Sequence, residues 1–136
     1  MVNEATLVIE TGPPIPFTVA DGTGIEKGTI LKITDPMTAV LADGDADIIA
    51  GIAAEEKIAN DGKTTLAVYR EGIFRGFAGN GGVTVGLAIV TDNGTSDDNE
   101  LANAGAADEA VIGTSFETAS SAESFLFELK PISWNP

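Results

Sequence analysis

Cysteine and histidine are both missing from this chain of 136 residues. Their absence excludes disulfides, thiolate or imidazole metal sites, and every Ser–His or Cys–His nucleophile. Basic residues are scarce, seven against 21 acids, for a formal charge of −14. No Lys or Arg lies between Arg75 and Lys130, a span holding nine acids from Asp92 to Glu128. A surface of that sign repels phosphate backbones, so nucleic acid is not expected as a partner. No apolar run approaches the ~20 residues of a membrane span, and the N-terminus lacks the basic-then-apolar pattern of a secretory leader, so no membrane association is expected. Aromatics are few, with Tyr69 and Trp134 the only Tyr and Trp. No window sustains a 3.6-residue apolar period, and only a short helical turn around Ala102–Ala107 is considered, weakened by Gly105.

What the chain does contain is a repeat. Gly24 to Asp35, G-I-E-K-G-T-I-L-K-I-T-D, is echoed by Gly82 to Asp92, G-V-T-V-G-L-A-I-V-T-D. Each copy has two glycines four apart, an apolar run and a closing Thr-Asp. The likeness continues from Ile49-Ala50-Gly51-Ile52-Ala53 to Val111-Ile112-Gly113-Thr114-Ser115, and from Thr65–Tyr69 to Ser124–Glu128. Matching points stand roughly 57–62 residues apart, too long and too few for a solenoid. The expectation is one all-β domain, a β-sandwich or barrel built from two similar halves at about 17–78 and 82–132. Gly79–Gly82 would be the hinge between them.

Residues 1–16 read differently. Ala5–Glu10 is a short strand candidate that runs into Thr11-Gly12-Pro13-Pro14-Ile15-Pro16, where prolines disfavour ladder hydrogen bonds and favour an extended chain. Two readings stand: an arm that lies on another molecule, or an edge strand and rigid loop on its own domain. On the first, deleting residues 1–16 leaves a folded domain that no longer oligomerises or docks. The candidate interface residues are Leu7, Val8, Ile9, Pro13, Pro14, Ile15 and Pro16, with Trp134 in the proline-flanked tail. The glycines Gly24, Gly28, Gly51, Gly72, Gly82, Gly86 and Gly113 are expected to shape turns, bulges or close backbone approaches.

The search for chemistry yields little. Asp43-Gly44-Asp45-Ala46-Asp47 spaces three carboxylates as a calcium loop begins, but Ile48 and Ala54 occupy the sixth and twelfth positions, where glycine and glutamate are needed. It reads as a turn. Asp92–Glu100 lacks hydrophobic anchors and reads as an exposed, mobile loop, with a weak cation site as the lesser reading; Asn93-Gly94-Thr95 matches a glycosylation acceptor. Gly79–Gly82 is not followed by the lysine of a phosphate-binding loop. No catalytic residue, cofactor or metal is assigned, and an enzyme is not expected.

The glycine-bracketed turn, the Ile-x-Gly strand and the Gly-Val hairpin together resemble the small capsid decoration, or cement, proteins of tailed viruses. The resemblance covers roughly Phe17 to Ile132 and rests on Gly24–Gly28, Ile49–Ala53, Glu71-Gly72-Ile73-Phe74, Val83-Thr84-Val85-Gly86 and Ile112-Gly113-Thr114. The chain departs from the pattern at the Asp92–Glu100 loop and at Thr114. The resemblance implies a virion protein, made in the host cytoplasm, that binds the outside of an icosahedral shell. It would do so as a homotrimer, locking the major capsid protein against internal pressure. The alternatives are a β-rich module on a virion that recognises host-surface glycans or another protein, against which the few aromatics argue, and a carboxylate-dyad hydrolase.

Overall fold

The computed structural model describes residues 3–93, 98–105 and 110–133, and these are all β, without a helix. The strands are β1 (Thr6–Ile9), β2 (Ile15–Thr18), β3 (Ile30–Asp35), β4 (Thr38–Leu41), β5 (Ile49–Ala53), β6 (Thr65–Tyr69), β7 (Gly72–Phe77), β8 (Ala88–Thr91), β9 (Leu101–Asn103), β10 (Ala110–Ser115) and β11 (Ser124–Ser133). Five of them close a barrel, β2-β4-β3-β5-β6, and six form a sheet in the order β1-β7-β11-β10-β8-β9.

The repeat is present in the topology. In β2–β6 the first strand pairs the fifth, the fifth the fourth, the fourth the second and the second the third, all antiparallel. β7–β11 repeat that order and those directions. The turns match as well. Ile25 and Lys57 exchange backbone hydrogen bonds of 2.9 and 2.7 Å, and Val83 and Ala119 exchange bonds of 2.9 and 3.0 Å. The Gly28 N–H donates to the Ala53 carbonyl at 2.9 Å, and the Gly86 N–H to the Ser115 carbonyl at 2.7 Å.

The unit boundaries differ from those expected. Each unit starts one strand before its glycine motif, at Ile15 and Gly72, so β7 belongs with the second half and Gly79–Gly82 lies inside that unit. This stretch is the counterpart of Asp21–Gly24, a turn within the unit and not a hinge between halves. Expected helical character at Ala102–Ala107 is replaced over residues 101–103 by β9, because Leu101 is wholly buried and paired with Thr91; residues 106–109 lie outside the described residues.

Two apolar clusters organise the packing. Phe17, Val19, Ile25, Leu31, Ala39, Ala50, Ala53, Leu66 and Val68 fill the barrel. A second cluster joins Ile30, Ile49 and Ile52 from the outside of the barrel to Phe74, Ile89, Leu101, Ile112, Phe125, Phe127 and Leu129 of the sheet. At its centre Phe127 lies 6.1 Å from Phe74 and 5.7 Å from Phe125, ring centre to ring centre. Burying each such ring contributes about 1.5–3 kcal/mol relative to leaving it in water.

β5 serves both clusters, which explains its unbroken apolar run. Ile49 and Ile52 face the shared core while Ala50 and Ala53 face the barrel interior. Strict alternation would put residues 49 and 52 on opposite faces. The one-residue phase shift comes from Gly51, at φ +150°, beside a register irregularity in β3–β5. A Cβ there would strike the Tyr69 carbonyl oxygen. β10 repeats the device: the β10–β11 register shifts between Val111 and Gly113, and a Cβ on Gly113 would strike the Glu128 carbonyl oxygen. Glycine is required at both positions by close backbone approach.

Candidate functional site

Residues 3–18 form part of the fold and not a detached arm. The buried Ala5 donates its N–H to the Gly28 carbonyl at 2.9 Å. β1 pairs antiparallel with β7, Thr6 opposite Arg75, Leu7 opposite Phe74 and Ile9 opposite Ile73, with a bulge between Leu7 and Ile9. The chain then crosses to the barrel, where β2 lies antiparallel to β6 with Ile15 opposite Val68 and Pro16 opposite Ala67. Of the two readings of this segment, the structure has the edge strand on its own domain. Prolines were expected to keep residues 13–16 out of a ladder, yet Ile15 and Pro16 are in one. The reason is that β2 meets its other neighbour, β4, only at Thr18, so the N–H that Pro16 lacks is not needed.

The candidate interface residues separate into three groups. Leu7 is half-buried against the shared core. Val8 and Ile9 stand 51% and 56% exposed, and Pro13, Ile15 and Pro16 are exposed while Pro14 is half-buried, so the crossing from β1 to β2 presents an apolar strip. Trp134 lies outside the described residues. Among the described residues no strand pairs with the outer edge of β1. An exposed apolar edge strand is a template for strand addition.

A second surface was not read from the sequence. On the outer face of the six-stranded sheet, Thr6, Arg75, Leu126 and Phe116 form one row across β1, β7, β11 and the end of β10. Ile9, Ile73, Glu128, Thr114 and Ala88 form the next. Phe77 flanks them at one end, and Val111 and Ile132 at the other. Phe116 is 44% and Ile132 53% exposed. The available signal was apolar residues at both parities of one strand: β7 buries Phe74 and turns Ile73 and Phe77 outward.

The glycines do not share one role. Gly28 and Gly86 are a matched pair at φ +90° and +84°, ending each glycine-bracketed turn in the left-handed region. Gly82 is also left-handed, and a Cβ on it would strike the Ala119 carbonyl, whereas its counterpart Gly24 has ordinary room beside Lys57. Gly72 opens β7 where the chain passes close to the Ile9 carbonyl.

The carboxylates of Asp21, Asp43, Asp47 and Asp61 are engaged in structural work. In the 43–47 turn, Asp47 accepts the N–H groups of Asp43 and Gly44 at 3.1 and 3.0 Å, and Lys32 pairs with Asp43 at 2.6 Å. Lys57 is buried at the end of the barrel, where its Nζ donates to the carbonyls of Asp21 and Ile58 and to the carboxylates of Asp21 and Asp61, at 2.6–3.0 Å. Burial works against its charge, but the bonds to Asp61 and Asp21 prevail and hold it above the usual lysine range. Asp61 in turn is held down to about 2 by Lys57 and by the N–H of Lys63. Among the described residues no group of three or more carboxylates is placed to hold a metal.

The acidic loop is anchored at both ends, contrary to its expected exposure. Asn93 is 4% exposed, with its Nδ2 donating to the Ala42 carbonyl at 2.8 Å and its Oδ1 accepting the Glu100 N–H at 3.1 Å. It is therefore not an accessible glycosylation acceptor. Asn99, 3% exposed, accepts the Ile30 N–H at 2.8 Å and donates to the carbonyls of Asn3 and Gly28 at 2.9 and 3.1 Å. Amide side chains bonded to backbone groups of the first unit replace the missing hydrophobic anchors. Residues 94–97 lie outside the described residues.

Neither a protein-family model nor a curated protein sequence matches the chain. Among solved structures, the head fiber gp8.5 N base of bacteriophage phi29 is similar, with a TM-score of 0.57 at 15% identity, over 90% of this chain and 98% of that one. At that identity the likeness is one of fold.

Proposed function

We propose that this chain is a structural protein of a tailed-virus particle that binds the outside of an icosahedral shell as a trimer. In this reading it engages the major capsid protein and stabilises the shell without catalysing a reaction. The observation that carries the reading is the fold likeness to a phage head fiber base over nearly the whole of both chains. The resemblance of the sequence to capsid decoration proteins points the same way, and the exposed apolar strip from Val8 to Pro16 gives such a protein a docking edge. Many modest contacts repeated over a shell gain by multivalency. Of the two sugar-stacking side chains that the glycan-binding alternative would use, Tyr69 is engaged elsewhere: its ring packs edge-on against Phe74 at 5.7 Å and its hydroxyl bonds Glu10 at 2.9 Å.

The test is addition of purified protein to mature shells that lack it. The expected result is saturable binding and a higher temperature of shell disruption. Absence of binding to the shells of the virus that encodes it would remove the proposal.

A further inference from the structure

We infer that the outer face of the six-stranded sheet is where copies of this chain meet one another. The face carries large apolar side chains among its polar ones: Ile9, Ile73, Phe77, Leu126, Phe116 and Ile132 point away from both internal clusters. A sheet face that belonged permanently in water would alternate polar-out against apolar-in, and a contiguous apolar patch on a soluble protein marks an interaction surface.

Charge identifies the occupant. The whole chain carries −14, with three acids for every base. On this face Arg75 and Lys130 stand against Glu117 and Glu128, two of each sign. It is therefore a surface on which two strongly acidic copies can approach without like-charge repulsion at the contact. A basic partner would instead be drawn to the acidic remainder of the molecule. The charges on the face are also arranged for self-complementarity. Arg75 on β7 and Glu128 on β11 lie on neighbouring strands one row apart, so Arg75 of one copy can face Glu128 of the next. Within one chain Arg75 is held only loosely, at 3.4 Å from Glu117, and both groups are substantially exposed.

This inference deepens the proposed multi-copy role by naming the contact, but it is tested without any shell, so failure of shell binding does not decide it. Sedimentation equilibrium of the full chain should give a mass that is a multiple of 13.9 kDa. Leu126→Asp and Ile73→Asp should shift the protein to monomer while far-UV circular dichroism and the melting transition of the monomer stay those of a folded β protein. Ile58→Asp, at an exposed loop position, should leave the mass unchanged. Raising the salt from low to moderate concentration should tighten association, since it screens repulsion between the acidic bodies and leaves the apolar contact intact. A wild-type chain that is monomeric at hundreds of micromolar overturns the inference. So does a folded Leu126→Asp, Ile73→Asp double variant that keeps the wild-type mass, which would hand this face to a different protein.

Discussion

Asn99 lies at the point where the N-terminal segment, the barrel and the acidic loop are tied together, and its replacement has a calculable cost. In Asn99→Ala the Ile30 N–H, on a residue itself buried, loses the acceptor it holds at 2.8 Å. A buried donor left without a partner costs about 1–3 kcal/mol. The other two bonds matter less. Gly28 keeps the N–H of Ala5 at 2.9 Å, and the half-buried Asn3 can turn its carbonyl to water. The backbone adds a second cost. Asn99 sits at φ +62°, a left-handed conformation that asparagine tolerates and alanine adopts at a cost of about 1 kcal/mol.

Asn99→Ala should therefore lose about 2–4 kcal/mol, and Asn99→Gly, which escapes the backbone term, about 1 kcal/mol less. Asn99→Asp retains an acceptor for Ile30 but sets a carboxylate against two carbonyls, so its deficit should be larger at pH 7 than at pH 4. Urea unfolding followed by circular dichroism measures all three. If Asn99→Ala costs under about 0.5 kcal/mol, the value of an ordinary surface site, or if Gly and Ala are equal, the reasoning is refuted.

Gly51→Ala and Gly113→Ala place a Cβ on a backbone carbonyl and should each cost more than about 3 kcal/mol or prevent folding, while Gly24→Ala should cost less than about 1 kcal/mol, read by thermal melts. Ala122 adopts φ +70° where its counterpart Asn60 adopts +63°, so Ala122→Asn should raise stability by about 0.5–1 kcal/mol in urea titrations. Burial, and then Asp45, push the Asp92 carboxyl up, so its contribution is fully present below the ordinary carboxylate value and is lost as pH rises through the elevated one. Asp92→Asn should accordingly stabilise at pH 7 and gain nothing near pH 3, read as the difference in melting temperature. Asp61, held at about 2, contributes in the opposite sense, fully above its ordinary value of 3.8 and lost as pH falls toward 2. The deficit of Lys57→Met should thus be constant from pH 5 to pH 9 and narrow only below pH 4.

Much of the architecture was legible because duplication and glycine placement are local properties. The paired glycines gave the turns, and Gly51 inside an apolar run announced a bulge that the structure repeats at Gly113. The start of each unit was not legible. At the spacing that aligns Gly24 with Gly82, β2 and β7 share only Ile15 with Ile73, too little to register beside the longer glycine motifs. β9 escaped for a related reason: a three-residue strand has no periodicity, and it exists because Leu101 fills the shared core. Anchoring through Asn93 and Asn99 was invisible in principle, since a polar loop looks mobile until its partners, up to 96 residues away, are known. The apolar edge at β1 was half legible. Its apolar residues were named, but pairing of β1 with β7 depends on a strand more than 60 residues downstream.

One strand, β1, has no counterpart within the repeat. In the first, β2 has β6 on one side and β4 on the other, at Thr18 and Thr38, and the barrel closes. The second unit has the matching link, one parallel bridge from Ala78, just past β7, to Leu101, but there β7 also pairs with β1 along its other edge. The sheet turns Phe74, Ile112, Phe125, Phe127 and Leu129 toward Ile30, Ile49 and Ile52 on the wall of the barrel, so the two units share one core beside the barrel's own. Ala5 and Leu7 join that core from the same segment. Loss of residues 1–16 would then remove β1 from the sheet and, with it, the first half of β2 from the barrel. Among the described residues the outer edge of β1 is left unpaired, while its inner edge is committed to the fold through β7.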